Sequence, residues 1–291
     1  MTSIATVFYL SMAAIFWGGT FVAGRLLIVE IDAYSAAFLR FSMASTLLLP
    51  LLYHREGRLQ RLSGRQFIAV LLLGLSGIYA YNIFFFSGLI TVEAGRASLI
   101  IAANPVFIAL LSWLFFGESL TPRKAVGILL SVIGAMWVIA KGNLTELLSG
   151  DVGVGELFLL GCVASWVVYT LVGKRVLSGM SPLAAVAYSC LFGALALFFP
   201  AQQHGLFETV VQLSTGAWLN LLYLAIFGTV LGFVWFYRGV KEIGAAKAGQ
   251  FINLVPVSGV FFGAFFLDEA LTVSLLLGGA LILSGLWMTN R

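Results

Sequence analysis

Two strongly apolar segments of the chain carry polar side chains that could bind the polar groups of a small solute. One segment holds Arg96 and Asn104, and the other holds Lys247, Gln250 and Asn253. The last three fall within an arc of about 120° on a helix, so they form one polar stripe. Inside a membrane such a stripe faces the protein interior or water. We predict that Arg96, Asn104, Gln250 and Asn253 contact a substrate, with snorkelling to lipid headgroups as the alternative for Arg96 and Lys247.

Aromatic side chains form a second kind of candidate surface. Trp17 and Thr20 share a helical face, as do Trp166 and Tyr169 at matching positions of a later segment. Indole N–H and phenolic O–H groups need hydrogen-bond partners when they are buried. These four residues are therefore predicted to line a binding cavity, and packing in the core is the alternative.

A third face carries Tyr79 and Asn82, and Tyr237 lies on the corresponding face of the segment that matches it. The two faces differ in residue type, which is compatible with a substrate that has no internal symmetry. All three residues are included in the predicted substrate site.

Pro105 and Pro256, near the middle of two apolar segments, predict kinked helices. Each proline lacks an N–H and crowds the carbonyl four residues earlier, which must then find another partner. A kink without a function is the alternative, but kinks at matched positions favour a moving part. The predicted gating or kink residues are Gly18, Gly19, Pro105, Lys247 and Pro256.

Arg40 lies several residues inside another apolar segment, where an unpaired guanidinium is costly. Pairing with a carbonyl or an acidic group is favoured, and binding of a substrate carboxylate is the alternative. No Asp or Glu lies deep in an apolar segment, since Glu93, Glu118 and Glu269 stand near predicted helix ends. This weakens the case for proton antiport.

The sequence offers no constellation for catalysis, metal binding or a bound cofactor. His54 and His204 lie in predicted loops without metal-ligand spacing. No nucleophile stands beside a base within an apolar segment, and there is no Walker motif. We predict no catalytic residue, no metal, no cofactor and a protein that is not an enzyme.

Composition places the chain in a membrane. Of its 291 residues, 61% are hydrophobic and 10% are charged, whereas soluble domains carry about 25% charged residues. The net charge of +4 does not indicate nucleic-acid binding. The expected partners are lipid and a small-molecule substrate, with a monomer as the working assumption.

A membrane span needs about 20 mostly apolar residues. By that measure the chain has ten predicted spans, so the expected fold is an all-α polytopic membrane protein. The predicted spans cover 4–26, 33–53, 66–90, 94–116, 122–141, 156–178, 182–200, 213–238, 245–267 and 270–289.

The chain repeats itself. Gly77 matches Gly228 and Pro105 matches Pro256 at a constant offset of 151, while Trp17 matches Trp166 at 149. Five spans per copy is an odd number, so the copies must have opposite orientations around a central cavity. The predicted units are a first five-helix repeat at 1–142, an external linker at 143–155 and an inverted repeat at 156–291.

Basic residues indicate which side of the membrane is cytoplasmic. With the N-terminus inside, twelve of the 16 Lys and Arg residues fall in cytoplasmic connections or the C-terminal tail. Cytoplasmic loops are enriched in Lys and Arg. Both termini are therefore predicted to lie in the cytoplasm.

These features together resemble the drug/metabolite transporter superfamily, specifically its ten-helix exporters with two EamA-type repeats, and within it the YddG-type amino-acid exporters. The resemblance covers essentially the whole chain. It implies export from the bacterial cytoplasm through a central cavity lined by spans 1, 3, 4, 6, 8 and 9. The residues that carry it are Trp17-Gly18-Gly19-Thr20-Phe21, Leu39-Arg40-Phe41, Asn104-Pro105, Gly117-Glu118, Pro256 and Asp268-Glu269.

The predicted function is secondary export of small metabolites, in particular aromatic or neutral amino acids, across the bacterial inner membrane by alternating access. The alternatives are a broad drug exporter, a nucleotide-sugar carrier and a non-transporting membrane scaffold. A nucleotide-sugar site would need several deep cations for the phosphates. The sequence has few of these, which disfavours that alternative.

Overall fold

A computed structural model describes residues 4–116, 121–143, 153–176, 179–243 and 248–289. All regular secondary structure in these ranges is helical, as the apolar runs predict. The predicted all-α class is confirmed.

The helices of the first half are α1 (Ile4–Leu27), α2 (Ala33–Glu56), α3 (Gly64–Leu73), the π-helix π1 (Gly74–Ala80), α4 (Tyr81–Leu89), α5 (Ala94–Ile101), α6 (Asn104–Phe116) and α7 (Pro122–Ile139). Those of the second half are α8 (Val154–Val176), α9 (Pro182–Gln203), α10 (Leu206–Gln212), α11 (Thr215–Leu222), the π-helix π2 (Tyr223–Leu231), α12 (Gly232–Ile243), a 3-10 turn (Gln250–Asn253), α13 (Leu254–Leu267) and α14 (Val273–Thr289).

Matched hydroxyl or carboxylate side chains start three helices in each half. Such a side chain accepts a hydrogen bond from a backbone N–H that the helix itself leaves unpaired. The sequence therefore encodes the same helix starts twice. The capping pairs are Asp32 with Ser181, Ser63 with Ser214, and Thr121 with Thr272.

Glycines join α7 to α14. A Cβ atom on Gly134 would lie 2.7 Å from the carbonyl oxygen of Gly278, and one on Gly285 would overlap the carbonyl of Gly127. Gly127 matches Gly278 in the repeat, and Gly134 matches Gly285. Gly134 therefore contacts the repeat counterpart of Gly127, and Gly127 contacts the repeat counterpart of Gly134. A two-fold axis perpendicular to two antiparallel helices produces this reciprocal pattern. The repeats are therefore inverted relative to each other.

The two π-helices occupy matching positions, π1 between α3 and α4 and π2 between α11 and α12. π1 packs against α9, where a Cβ atom on Gly74 would lie 2.9 Å from the backbone nitrogen of Gly193. π2 packs against α1 and α2. A π-turn widens the helix and changes its hydrogen-bond pattern. Such turns are frequent at functional sites.

In the described part of the chain, seven helices are long and apolar enough to cross a membrane. Two of them are continuous through a π-helix, Gly64–Leu89 through π1 and Thr215–Phe236 through π2. Three shorter apolar helices, Ala94–Ile108, Phe251–Leu267 and Val273–Met288, lie inside the remaining predicted spans. The chain is thus a multi-pass membrane protein, while the count of ten spans stays a prediction.

Gly134→Ala is expected to destabilise the protein by about 1–3 kcal/mol, because the new methyl group would overlap backbone atoms of α14. A Cβ atom there would also lie 2.9 Å from the backbone nitrogen of Ile282, so no flexible side chain can yield. Thermal unfolding in detergent measures the effect. The control is Gly64→Ala, since a Cβ at Gly64 meets no atom within 4 Å. Equal melting temperatures for the two variants would contradict the close approach of α7 and α14.

Candidate functional site

A buried cation joins the two π-helical regions. Arg40 on α2 is 8% exposed. Its Nη1 donates to Asn82 Oδ1 at 3.1 Å, and its Nε donates to Thr229 Oγ1 at 3.3 Å. Asn82 follows π1 and Thr229 lies within π2. Arg40 therefore links corresponding parts of the two repeats.

The partners of Arg40 also pair backbone carbonyls of the π-helical regions. Asn82 Nδ2 donates to the carbonyl of Ile78 at 2.9 Å, and Thr229 Oγ1 donates to that of Leu224 at 2.9 Å. Carbonyls released at membrane depth need partners from the protein, since lipid tails provide none. The side chains of Asn82 and Thr229 thus donate hydrogen bonds to backbone carbonyls and accept hydrogen bonds from the Arg40 guanidinium. The favoured prediction that Arg40 has a structural pairing agrees with this geometry.

Trp17 and Thr20 lie at a close contact between α1 and π2. Trp17 Nε1 donates to the carbonyl of Gly228 at 3.0 Å. A Cβ atom on Gly228 would lie 2.6 Å from Thr20 Cγ2, and one on Gly232 would lie 2.6 Å from Trp17 Nε1. The Trp17 ring also packs against Phe233, at 5.6 Å between centroids. Glycine is needed at these positions because a side chain would displace α1.

Trp166 and Tyr169, on α8 of the second repeat, form the corresponding contact with π1 of the first repeat. Their rings stack at 5.0 Å, and Trp166 also packs against Tyr81 at 5.4 Å. A Cβ atom on Gly77 would overlap the ring of Tyr169. The predicted aromatic faces therefore lie in two matching seams, α1 against π2 and α8 against π1.

The helices that carry the prolines break at matching places. In the first repeat α5 ends at Ile101 and α6 begins at Asn104, and in the second a 3-10 turn precedes α13. Both breaks directly precede a proline, Pro105 or Pro256, as expected from the carbonyl that each proline crowds. Asn104 is 7% exposed, and its Oδ1 has no hydrogen-bond partner in the structure. A buried acceptor without a partner is costly, so it marks a place where a donor group could bind.

Arg96 lies in the first turn of α5, at the end of the bundle where α7 ends. Its Nε and Nη2 donate to the carbonyl of Val138 at 3.0 and 2.8 Å, and Nη1 lies 3.6 Å from Glu156 Oε1. The guanidinium thus caps the end of α7, where a cation is favourable. Arg96 also lines a cavity of about 630 Å³ with Glu93 and Lys141. Its proposed contact with substrate stays a prediction.

The remaining predicted residues that the structure describes lie in π1, in the 3-10 turn and in α1. Tyr79 is half-buried against the core, and Asn253 ends the 3-10 turn. Cβ atoms on Gly18 and Gly19 would overlap Ser258 and the hydroxyl of Tyr223, respectively. Lys247 lies outside the described residues, as do the side chains of Pro105, Tyr237 and Gln250.

Sequence reasoning missed Thr229, Arg25 and Glu269 as members of polar networks. Thr229 stands in an apolar run directly after Gly228, a glycine that the repeat had already marked. Glu269 stands at a repeat-matched position, but its partners on α1 and α5 are distant in sequence. In the described ranges no three His, Cys, Asp or Glu side chains group as a metal site.

The helical bundle, its inverted repeats and its paired breaks define a multi-pass membrane protein of the transporter type. The model of the EamA-like transporter family matches residues 4–140 and 153–291. The chain belongs to the EamA-like transporter family, so it is a membrane transporter. The family and its relatives are named as transporters and not as enzymes, in agreement with the prediction.

Relatives match over nearly the full chain. The uncharacterized transporter YyaM of Bacillus subtilis is 28% identical over 94% of this chain and 89% of its own length. A probable terminal-alkyne amino-acid exporter of Streptantibioticus cattleyicolor is 29% identical over 98% of this chain and 93% of its own length. A crystal structure superposes with a TM-score of 0.70 at 20% identity, covering 99% of this chain and 98% of the other, which shows a shared fold.

Thr229→Val is expected to lower stability by about 1–3 kcal/mol, because it leaves Arg40 and the carbonyl of Leu224 without a hydroxyl partner. Thr229→Ser should retain most of the stability. Thr46→Val serves as the control, since the hydroxyl of exposed Thr46 bonds only to the nearby carbonyl of Met43. Thermal unfolding of the purified protein measures all three. A Thr229→Val protein as stable as Thr46→Val would refute a stabilising role for the hydroxyl of Thr229.

Proposed function

We propose that this chain is a secondary exporter of small amphipathic metabolites, in particular aromatic or neutral amino acids, working by alternating access. The observation that carries the proposal is the pair of repeat-matched helix breaks, one of which holds the unpartnered Oδ1 of Asn104. Discontinuous helices at the interface of inverted repeats are where many transporters bind substrate. The relative named as a probable amino-acid exporter supports this substrate class.

The polar groups of the substrate would bind near the breaks. Asn104 Oδ1 accepts hydrogen bonds, so it suits an ammonium group. Gln250 and Asn253, on the matching break, would contact the carboxylate or a side-chain polar group through their amide N–H groups. Arg96 would contact the substrate at the N-terminal end of α5, where the substrate enters or leaves the cavity.

The apolar part of the substrate would lie against the aromatic seams. Trp17 and Thr20 border one seam, and Trp166 and Tyr169 border the other, with Tyr79 and Tyr237 as further wall residues. Aromatic rings suit an aromatic or aliphatic side chain because they offer large apolar surfaces with few rotatable bonds. The two seams differ in residue type, so each would meet a different part of the substrate.

Membrane orientation follows from the distribution of basic residues. We place the protein in the bacterial cytoplasmic membrane with both termini inside and the 143–155 linker outside. A monomer contains both repeats and is sufficient for this mechanism. Movement about Gly18, Gly19 and the two proline breaks would close the cavity on one side of the membrane and open it on the other.

Trp166→Ala is expected to reduce amino-acid flux in proteoliposomes about tenfold, which corresponds to roughly 1.4 kcal/mol of lost interaction. Trp113→Ala is the matched control, because Trp113 is 45% exposed on α6. Both variants should reach the wild-type level of membrane expression. Equal flux in the two variants would remove Trp166 from the substrate site.

The transport proposal itself is tested with purified wild-type protein in liposomes loaded with labelled amino acids. Efflux should exceed that of empty liposomes and should fall when the amino group of the substrate is acylated, since the acyl amide has lost the ammonium charge and two N–H donors. Asn104→Leu should reduce the preference for the free amine. If no neutral or aromatic amino acid is transported above the empty control, the proposed substrate class is wrong.

A further inference from the structure

A half-buried carboxylate lies at the end of the bundle where α5 begins and α13 ends. Glu269 Oε1 accepts from the backbone N–H of Ala94 at 2.6 Å, and Oε2 accepts from that of Gly95 at 2.8 Å. Arg25 Nε lies 3.9 Å from Glu269 Oε1, and the Glu269 side chain is 10% exposed. We call Arg25, Ala94, Gly95 and Glu269 the Glu269 latch.

The latch connects three parts of the bundle. Arg25 at the end of α1 also donates from Nη1 to the carbonyls of Leu89 and Val92, each at 2.7 Å. Glu269 reaches from the end of α13 to the first turn of α5. Hydrogen bonds from helix N–H groups to a carboxylate are charge-assisted, and the positive end of the helix dipole strengthens them. The latch is therefore a strong and specific contact between α5 and α13.

The backbone around Glu269 is shaped for this contact. Asp268 adopts a left-handed conformation, with φ of 52°, which turns the chain sharply after α13. The Glu269 N–H then donates to the carbonyl of Gly263 at 3.2 Å. A Cβ atom on Gly263 would overlap the Glu269 carboxylate, so a side chain there would push the acid away from α5.

Close packing of α5 on α13 continues from the latch toward the breaks. A Cβ atom on Gly95 would lie 3.1 Å from Val260 Cα, and one on Gly259 would lie 2.6 Å from Ser98 Oγ. Ser98 is fully buried, and its hydroxyl lies 3.4 Å from the carbonyl of Pro256. The surfaces of α5 and α13 therefore meet without a gap that could admit solute.

After the breaks, α6 has other neighbours. In the described portions of the chain it packs against α7, α8 and α14. The described packing of α5 on α13 therefore belongs to one end of the two broken segments, as the closed end of an alternating-access pathway would.

We propose that the Glu269 latch holds the transport pathway closed at this end, with Glu269 as the positioning residue, and that its release is an obligatory step of transport. The inference rests on the proposed transport function. Separation of α5 from α13 breaks both hydrogen bonds between the Glu269 carboxylate and the N–H groups of Ala94 and Gly95, so the latch favours the closed state. The Glu269→Gln side chain retains one acceptor oxygen and loses the charge, which lowers the free-energy cost of opening.

The test is the labelling rate of Ser98→Cys with a membrane-impermeant maleimide, in wild-type and Glu269→Gln backgrounds. Ser98 is 0% exposed and lies at the interface of α5 and α13, so labelling reports their separation. Glu269→Gln should label about fivefold faster, the factor expected when a charge at a helix N-terminus is removed. Glu30→Gln is the charge-matched control on the same end of α1, where the exposed Glu30 accepts from Ser214.

Cys162 and Cys190 are both 0% exposed and provide an internal measure of unfolding. Faster labelling of Ser98→Cys alone supports the latch. Unchanged labelling, or an equal rise at the two native cysteines, overturns it. If Glu269→Gln does not fold, Gly95→Ala tests the same contact by pushing α5 from Val260, with the same expected and opposing results. Labelling needs no substrate, so a failed amino-acid flux assay leaves this result interpretable.

Discussion

Backbone groups released by irregular helices must be paired inside the protein, because the hydrocarbon of a bilayer offers them no hydrogen bonds. The centre of this transporter is organised by that constraint. Asn82 and Thr229 pair the carbonyls of Ile78 and Leu224, and Trp17 pairs that of Gly228. The same Asn82 and Thr229 receive the guanidinium of Arg40. A buried charge and two π-helical regions are therefore stabilised by one set of side chains.

The two repeats share their framework and differ in their polar groups. Helix starts, helix breaks and the glycine contacts between α7 and α14 recur at matched positions. Arg40, in contrast, matches Ser189, and Asn82 matches Phe233. The shared residues therefore set the shape that the two repeats have in common. The unshared residues make the polar surroundings of the two π-helical regions different.

Sequence reasoning predicted the features that depend on local pattern. Apolar runs gave the helices, and Pro105 and Pro256 gave the breaks, because proline acts on carbonyls of its own helix. The π-helices were not predicted, since the 3.6-residue and π-turn patterns differ little in residue type. The partners of Arg96, the carbonyls of Val138 and Ile139, depend on how α7 packs beside α5. Such contacts join residues far apart in sequence, and no local spacing encodes them.

The glycine contacts between α7 and α14 also constrain how the bundle is assembled in the membrane. α14 follows every other described helix along the chain, so Gly127 and Gly134 lack this partner until α14 has been synthesised. Until then their bare backbone faces lipid or another helix. Insertion of α14 then adds this contact to those already available between the repeats, such as α1 with π2 and α8 with π1. A variant that fails at this step would retain the earlier contacts and lose the close approach of α7 and α14.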